Sequence, residues 1–247
     1  MRLSSLAGGL LISGVLGLEV SPARADVVSL NFEDIGAGYP FSSSTTNILE
    51  FYNGGTSSVG TTGTNYGVSF GSNALAICLN SLAVYCSNTS RGGLGDPTSQ
   101  EGALFFLAGS ETYLNFPAGF KDGFSFNYVS LNYNGSVDVH EGLNGTGTIL
   151  ATLNLTPNAS PCPGYSAGFC PFSPKGVTFA GTAKSIGFGG IANQIVFDDV
   201  TFGSDIPGPG PDKEVPSPLA IASLPIAIGS IRNLRKYSSQ LKSFSMG

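Results

Sequence analysis

Phe124-Ser125-Phe126-Asn127-Tyr128 places three aromatic rings at alternate positions. In extended backbone, successive side chains point to opposite faces, so the rings share one face and Ser125 and Asn127 the other. The same alternation recurs outward from this stretch. Apolar and β-branched runs occupy residues 27–32, 48–52, 66–70, 103–107, 113–116, 123–131, 136–140, 148–155, 176–179, 185–188 and 194–202. Clusters of Gly, Asn and Pro separate them, as turns require. Between the chain ends no stretch combines 3.6-residue periodicity with caps. The pattern therefore predicts an all-β domain, a two-sheet antiparallel β-sandwich of the jelly-roll type. Two polar inserts, residues 36–47 and 87–100, are candidate binding loops.

Composition supports this reading. Charged residues are 11% of the 247-residue chain, aromatics are also 11%, and there are 35 glycines. A disordered polar chain would lack the aromatics. Residues 26–206 hold 13 acidic and four basic side chains, a net of −9. So acidic a domain repels phosphate backbones, and nucleic acid is not an expected partner.

Both ends read as addressing segments. Arg2, the 13-residue apolar run 6–18 and Pro22-Ala23-Arg24-Ala25 predict a signal peptide over 1–25, with its helix in the apolar run. The run falls short of the ~20 residues that span a bilayer. The predicted sandwich follows at 26–205. A linker over 206–218 contains Pro207, Pro209, Pro211, Pro216 and Pro218, which resist helix. The tail, 219–247, opens with a 13-residue apolar segment, 219–231, predicted as a short hydrophobic helix. Arg232, Arg235 and Lys236 follow and should stay on the cytoplasmic side. Such a segment crosses a membrane only marginally and suits transient retention.

Val215-Pro216-Ser217-Pro218, the brief apolar segment and the basic cluster together resemble the PEP-CTERM sorting signal. Leu224-Pro225 makes the tail similar to the cyanobacterial variant, although the family's Pro-Glu-Pro order is missing. The resemblance implies an exosortase-type processing protease as partner and delivery to the cell surface or an extracellular polysaccharide matrix. Contact with the membrane would be transient, through the tail.

Cys78 and Cys86 have the same spacing as Cys162 and Cys170. An even count in an exported chain predicts disulfides. Three connectivities are open, and local pairing is favoured because each pair brackets a short loop. Neither pair has the spacing of a thiolate zinc site.

The first predicted strand ends in Glu33-Asp34, and the last contains Asp198-Asp199. This arrangement resembles galactose-binding-like and carbohydrate-binding jelly rolls, in which the first and last strands lie side by side. The resemblance implies a structural calcium, with Glu33 and Asp199 as ligands ahead of Asp34 and Asp198. Calcium's preference for six to eight oxygens is compatible with that set. The alternative is a row of exposed acids that blunts a sheet edge.

His140 is the only histidine, so a Ser–His–Asp triad could form only around it. Alternation puts Asp138 and His140 on one face, where an exposed polar role is expected. No catalytic residue is assigned. A glycoside hydrolase would draw on Glu50, Glu101, Glu111 and Glu141. Tyr39, Phe41 and Tyr165 are candidate sugar-stacking side chains. The expectation is a non-catalytic surface or matrix protein with carbohydrate affinity. The alternatives are a secreted hydrolase and a ligand-free coat component.

Overall fold

The computed structural model describes residues 27–36, 45–79, 102–161 and 168–208. The chain divides into two units, Met1–Pro211 and Asp212–Gly247, and everything described belongs to the first. The signal peptide, the sorting tail, Tyr39, Phe41, Cys86, Glu101, Cys162 and Tyr165 lie outside the described residues.

The described chain is all-β, with ten strands in one antiparallel hydrogen-bonded network and no helix. In chain order these are β1 (Val28–Leu30), β2 (Thr46–Asn47), β3 (Ser69–Phe70), β4 (Leu75–Cys78) and β5 (Gly102–Phe105). Then come β6 (Glu111–Ser130), β7 (Gly135–His140), β8 (Ile149–Leu155), β9 (Ser173–Gly189) and β10 (Ile195–Phe202). The sheet order is β2-β4-β5-β10-β6-β9-β7-β8, with β1 joined to β10 and β3 to β6.

Two strands run far longer than the sequence pattern suggests. The runs 113–116 and 123–131 merge into the 20-residue β6, and 176–179 and 185–188 into the 17-residue β9. The pairing between them is interrupted near Phe120, between Asn115 and Asp122. Pro117 lies in this interval, and Gly119 (φ 76°) and Asp122 (φ 73°) are left-handed. Such residues make bulges and bends, because they break the ladder and turn the strand. Before the break β6 pairs with β3 and the end of β9, which also pairs with β7; after it, β6 pairs with β10 and the start of β9.

Phe124, Phe126 and Tyr128 are all buried in one cluster, as the alternation requires. Phe126 meets Phe124 at 5.7 Å and Phe197 of β10 at 5.5 Å. Phe120 at the bend touches Phe202 at 4.9 Å and Phe179 at 5.7 Å, largely edge to face, the favoured aromatic geometry. A second, smaller cluster holds Leu75, Ile77, Ala103, Phe105, Val129 and Val196, the alternate residues of the same strands, together with Phe169. The middle of this sheet is thus covered on both faces, and every residue of β10 is buried.

One expected strand is absent. Residues 48–52 form a turn, with Phe51 N–H donating to Ile48 O and Gly55 N–H to Glu50 O. The buried residues Ile48, Phe51 and Tyr52 lie three and four apart, which is helical-turn spacing and not alternation. Leu49, at φ 50°, ends any extended run.

Candidate functional site

Two polar constellations emerge from this framework. The first lies where β1 meets β10. Val28 pairs with Phe202 and Leu30 with Val200, so the first and last described strands are indeed neighbours. Past β1 the chain turns through Phe32 and Asp34, both at φ 58°. The Phe32 N–H donates to the Tyr52 hydroxyl at 3.0 Å, and the Gly102 N–H donates to Glu33 Oε1 at 3.0 Å. A Cβ on Gly102 would come within 2.1 Å of the Phe32 carbonyl oxygen, so only glycine fits there.

On β10 the register shifts between Asp198 and Thr201, and Asp199 is left-handed at φ 47°. Simple alternation would put Asp198 and Asp199 on opposite faces. With the bulge and cover on both sides, both are fully buried. They are not edge-blunting acids, because β10 is an interior strand flanked by β5 and β6. The Asp199 N–H donates to Asp198 Oδ1 at 2.7 Å, and Asn127 Nδ2 donates to Asp199 Oδ2 at 3.3 Å. Tyr52 is held well above the ordinary phenol range, mainly by burial; the Phe32 N–H bond opposes this, and Asp198 and Glu33 reinforce it.

Among the described residues no three His, Cys, Asp or Glu side chains come together as a metal-holding group. Glu33, Asp198 and Asp199 instead accept hydrogen bonds that fix two irregular turns of backbone.

The second constellation is the outer face of β6, β9, β7 and β8. Register aligns it in rows. Glu111, Gly189, Ser136 and Asn154 form one; Tyr113, Gly187, Asp138 and Thr152 form the next; Asn115, Ser185 and His140 form a third. The alternate residues Leu114, Ile186, Val139, Phe188, Val137 and Leu153 face the core. Glycine at 187 leaves room for the Tyr113 ring, since a Cβ there would lie 3.1 Å from Tyr113 Cε1.

The β7–β8 connection folds over one end of this face. Gly145 N–H donates to Ser185 Oγ at 3.0 Å, and Ser185 Oγ donates to Gly142 O at 2.6 Å. Asn115 and Asn144 exchange two bonds of 2.7 Å each. A Cβ on Gly145, itself at φ 68°, would collide with the Tyr113 ring at 2.2 Å. Tyr113 is therefore wedged between two glycines. Its phenol is pushed up to about 12, first by burial and then by the hydrogen bond and charge of Glu111. The end bearing Glu111, Ser136, Asp138, Thr152 and Asn154 is exposed or half-buried.

His140 corrects a sequence expectation. It is buried, at 7% exposure, and not an exposed strand residue. The register shift between Val139 and His140 and the covering loop account for this. Its Nδ1 has no hydrogen-bond partner, and its ring meets Tyr113 edge-on at 6.5 Å. Asp138 Oδ1 accepts a bond from Thr152 Oγ1. Among the described residues no carboxylate hydrogen-bonds the imidazole, as a triad would require. A Cβ on Gly187 would sit 3.5 Å from the His140 Nε2.

Sequence reasoning put Asp138 and His140 on one face but did not bring Tyr113, Ser185 and Gly187 to them. The repeated polar or small residues at 111, 113, 115 and at 185, 187, 189 were the available signal. Cys78 and Cys170 are both buried, and neither is a free thiol. No family model matches the chain, and no curated protein matches it.

Two outcomes follow. If Glu33 and Asp199 hold the calcium that the resemblance implies, dialysis against a calcium chelator should lower the melting temperature by several degrees; an unchanged value would argue against that site. Spectrophotometric titration should show Tyr113 ionising near 12, with Tyr113→Phe removing that step. Glu111→Gln should lower the step yet leave it above the usual ~10, because burial is the larger cause. The sign is that of a raised acid: its stabilisation is complete below ~10 and is lost as pH climbs towards 12.

Proposed function

We propose that this chain is an exported, non-catalytic surface or matrix protein that holds carbohydrate on the outer face of β6, β9, β7 and β8. The observation that carries this reading is the row arrangement of Glu111, Ser136, Asp138, Thr152 and Asn154, laid out by register on one sheet face. Carboxylates accept from sugar hydroxyls, while amides and hydroxyls both donate and accept. A rigid sheet fixes the spacing of such groups better than a loop does.

The finer fold reading is a two-sheet sandwich. In it, the broken β6–β9 pair passes from one sheet to the other and closes the large apolar cluster between them. The disulfides are read as Cys78–Cys86 and Cys162–Cys170. This is compatible with Cys78 and Cys170 not being free thiols. Delivery is assigned to the PEP-CTERM-like tail and an exosortase-type protease, with the polysaccharide matrix as destination.

A hydrolytic role is less well supported. Glu111 acts on the Tyr113 phenol, raising it, and Asp138 accepts a bond from Thr152, so both carboxylates already act on neighbours. Glycosidase chemistry asks for a cooperating pair of carboxylates flanking a bond.

An array of extracellular polysaccharides should show binding without release of reducing sugar. Asp138→Ala should weaken it about tenfold, the effect of one lost charge-assisted hydrogen bond. Full binding by this variant, or turnover, would refute the assignment. Deletion of residues 212–247 should release the protein from the cell surface, as judged by fractionation; unchanged retention would remove the sorting role.

A further inference from the structure

The exposed strand edges differ in how they are defended. Sheets present unpaired N–H and C=O groups at their edges, and proteins protect them with very short strands, proline, lysine or bulges. Among the described residues, β2 and β3 have two residues each and β1 three. The first half of β9 pairs only with β6, and its other edge carries Pro174 and Lys175. β8 is different. It has seven residues, Ile149-Leu150-Ala151-Thr152-Leu153-Asn154-Leu155, with neither proline nor charge, and among the described residues it pairs only with β7. Its first turn of chain leans on the β9 corner, where a Cβ on Gly181 would meet Leu150 at 3.5 Å. Residues 151–155 are the undefended part.

We propose that this edge of β8 pairs antiparallel with the same edge of a second copy of the chain, so that the sheet continues through a twofold axis. The residue pattern is self-complementary. With Leu153 on the axis, Ala151 stands opposite Leu155 and Thr152 opposite Asn154. Ala151, Leu153 and Leu155 are half-buried or buried on the core side, whereas Thr152 and Asn154 are exposed on the other. Apolar side chains therefore meet apolar ones, and a hydroxyl meets an amide. A same-patch interface of this kind closes as a dimer.

Charge favours the same choice of contact. The domain is strongly acidic, so most faces of two copies repel. Residues 142–174 carry no charged side chain at all, and β8 lies inside that stretch. Contact along this edge therefore brings no charged side chain of β8 against its copy. Thr152 and Asn154 also lie in the polar face of the carbohydrate reading, but the pairing rests on the backbone edge, and its concentration dependence is read without sugar.

Sedimentation of the full chain, in a mild detergent that covers the apolar C-terminal segment, tests it. The unaltered chain should pass from monomer to dimer as concentration rises. Thr152→Lys with Asn154→Lys sets like charges opposite one another and should weaken dimerisation about tenfold. Thr152→Glu with Asn154→Glu should do the same, and mixing the two double variants should restore a dimer. Hydrogen exchange on the unaltered chain needs no variant: amides of residues 151–155 should gain protection with concentration. A chain that stays monomeric, a mixture that fails to reassociate although both variants fold, or concentration-independent exchange at 151–155 would each overturn the proposal.

Discussion

The antiparallel pairing of β6 with β9 is the constraint on which the other features rest. It is long on both strands and interrupted in one interval, Asn115 to Asp122, where its register shifts on each side of Phe120. On the later side of the break it brings Phe124, Phe126 and Tyr128 into the core beside Phe197. On the earlier side it sends Leu114 and Ile186 inward and Tyr113 and Gly187 outward. A shift of one residue on either side would reverse every one of these assignments, because side chains alternate with period two. The bend residues Pro117, Gly119 and Asp122 therefore matter as much as the apolar ones: they absorb the irregularity that lets each half keep its own register.

The two polar constellations answer to that pairing in different ways. At the β1–β10 junction, two fully buried acids and the half-buried Glu33 have become part of the scaffold. Asp198 caps the backbone of Asp199, Asp199 accepts from Asn127, and Glu33 holds Gly102. A buried carboxylate is tolerated when hydrogen bonds replace its lost hydration. Here the bonds also stabilise backbone at positive φ, where ordinary residues are strained. The outer face of β6, β9, β7 and β8 is the opposite case. Its carboxylates lie at or near solvent, and its one buried polar orphan, His140 Nδ1, is covered by the loop that crosses Tyr113.

Much of the fold was legible before any coordinates. Alternating rings at 124, 126 and 128, turn residues between runs and the lack of helical periodicity point to β structure throughout, and the described chain is all-β. The neighbourhood of first and last strands also emerged as expected. Other features were hidden. Residues 48–52 look like a strand because their apolar content is high, yet hydrogen bonds from Phe51 and Gly55 close them into a turn. His140 reads as exposed on a single strand; the bulge behind it and the loop above it bury it.

Local chemistry is thus what the amino-acid order settled by itself: which residues prefer extended backbone, which faces of each strand are apolar, and how strongly acidic the domain is. Those properties depend on neighbours one or two positions away. Tertiary structure decided the rest. Whether Asp198 and Asp199 face solvent or core depends on β10 lying between β5 and β6, with cover on both sides. Whether Tyr113, Gly187 and Asp138 form a row depends on registers between strands up to 74 residues apart. Pairing of that kind is a property of distant segments together, and no single segment carries it.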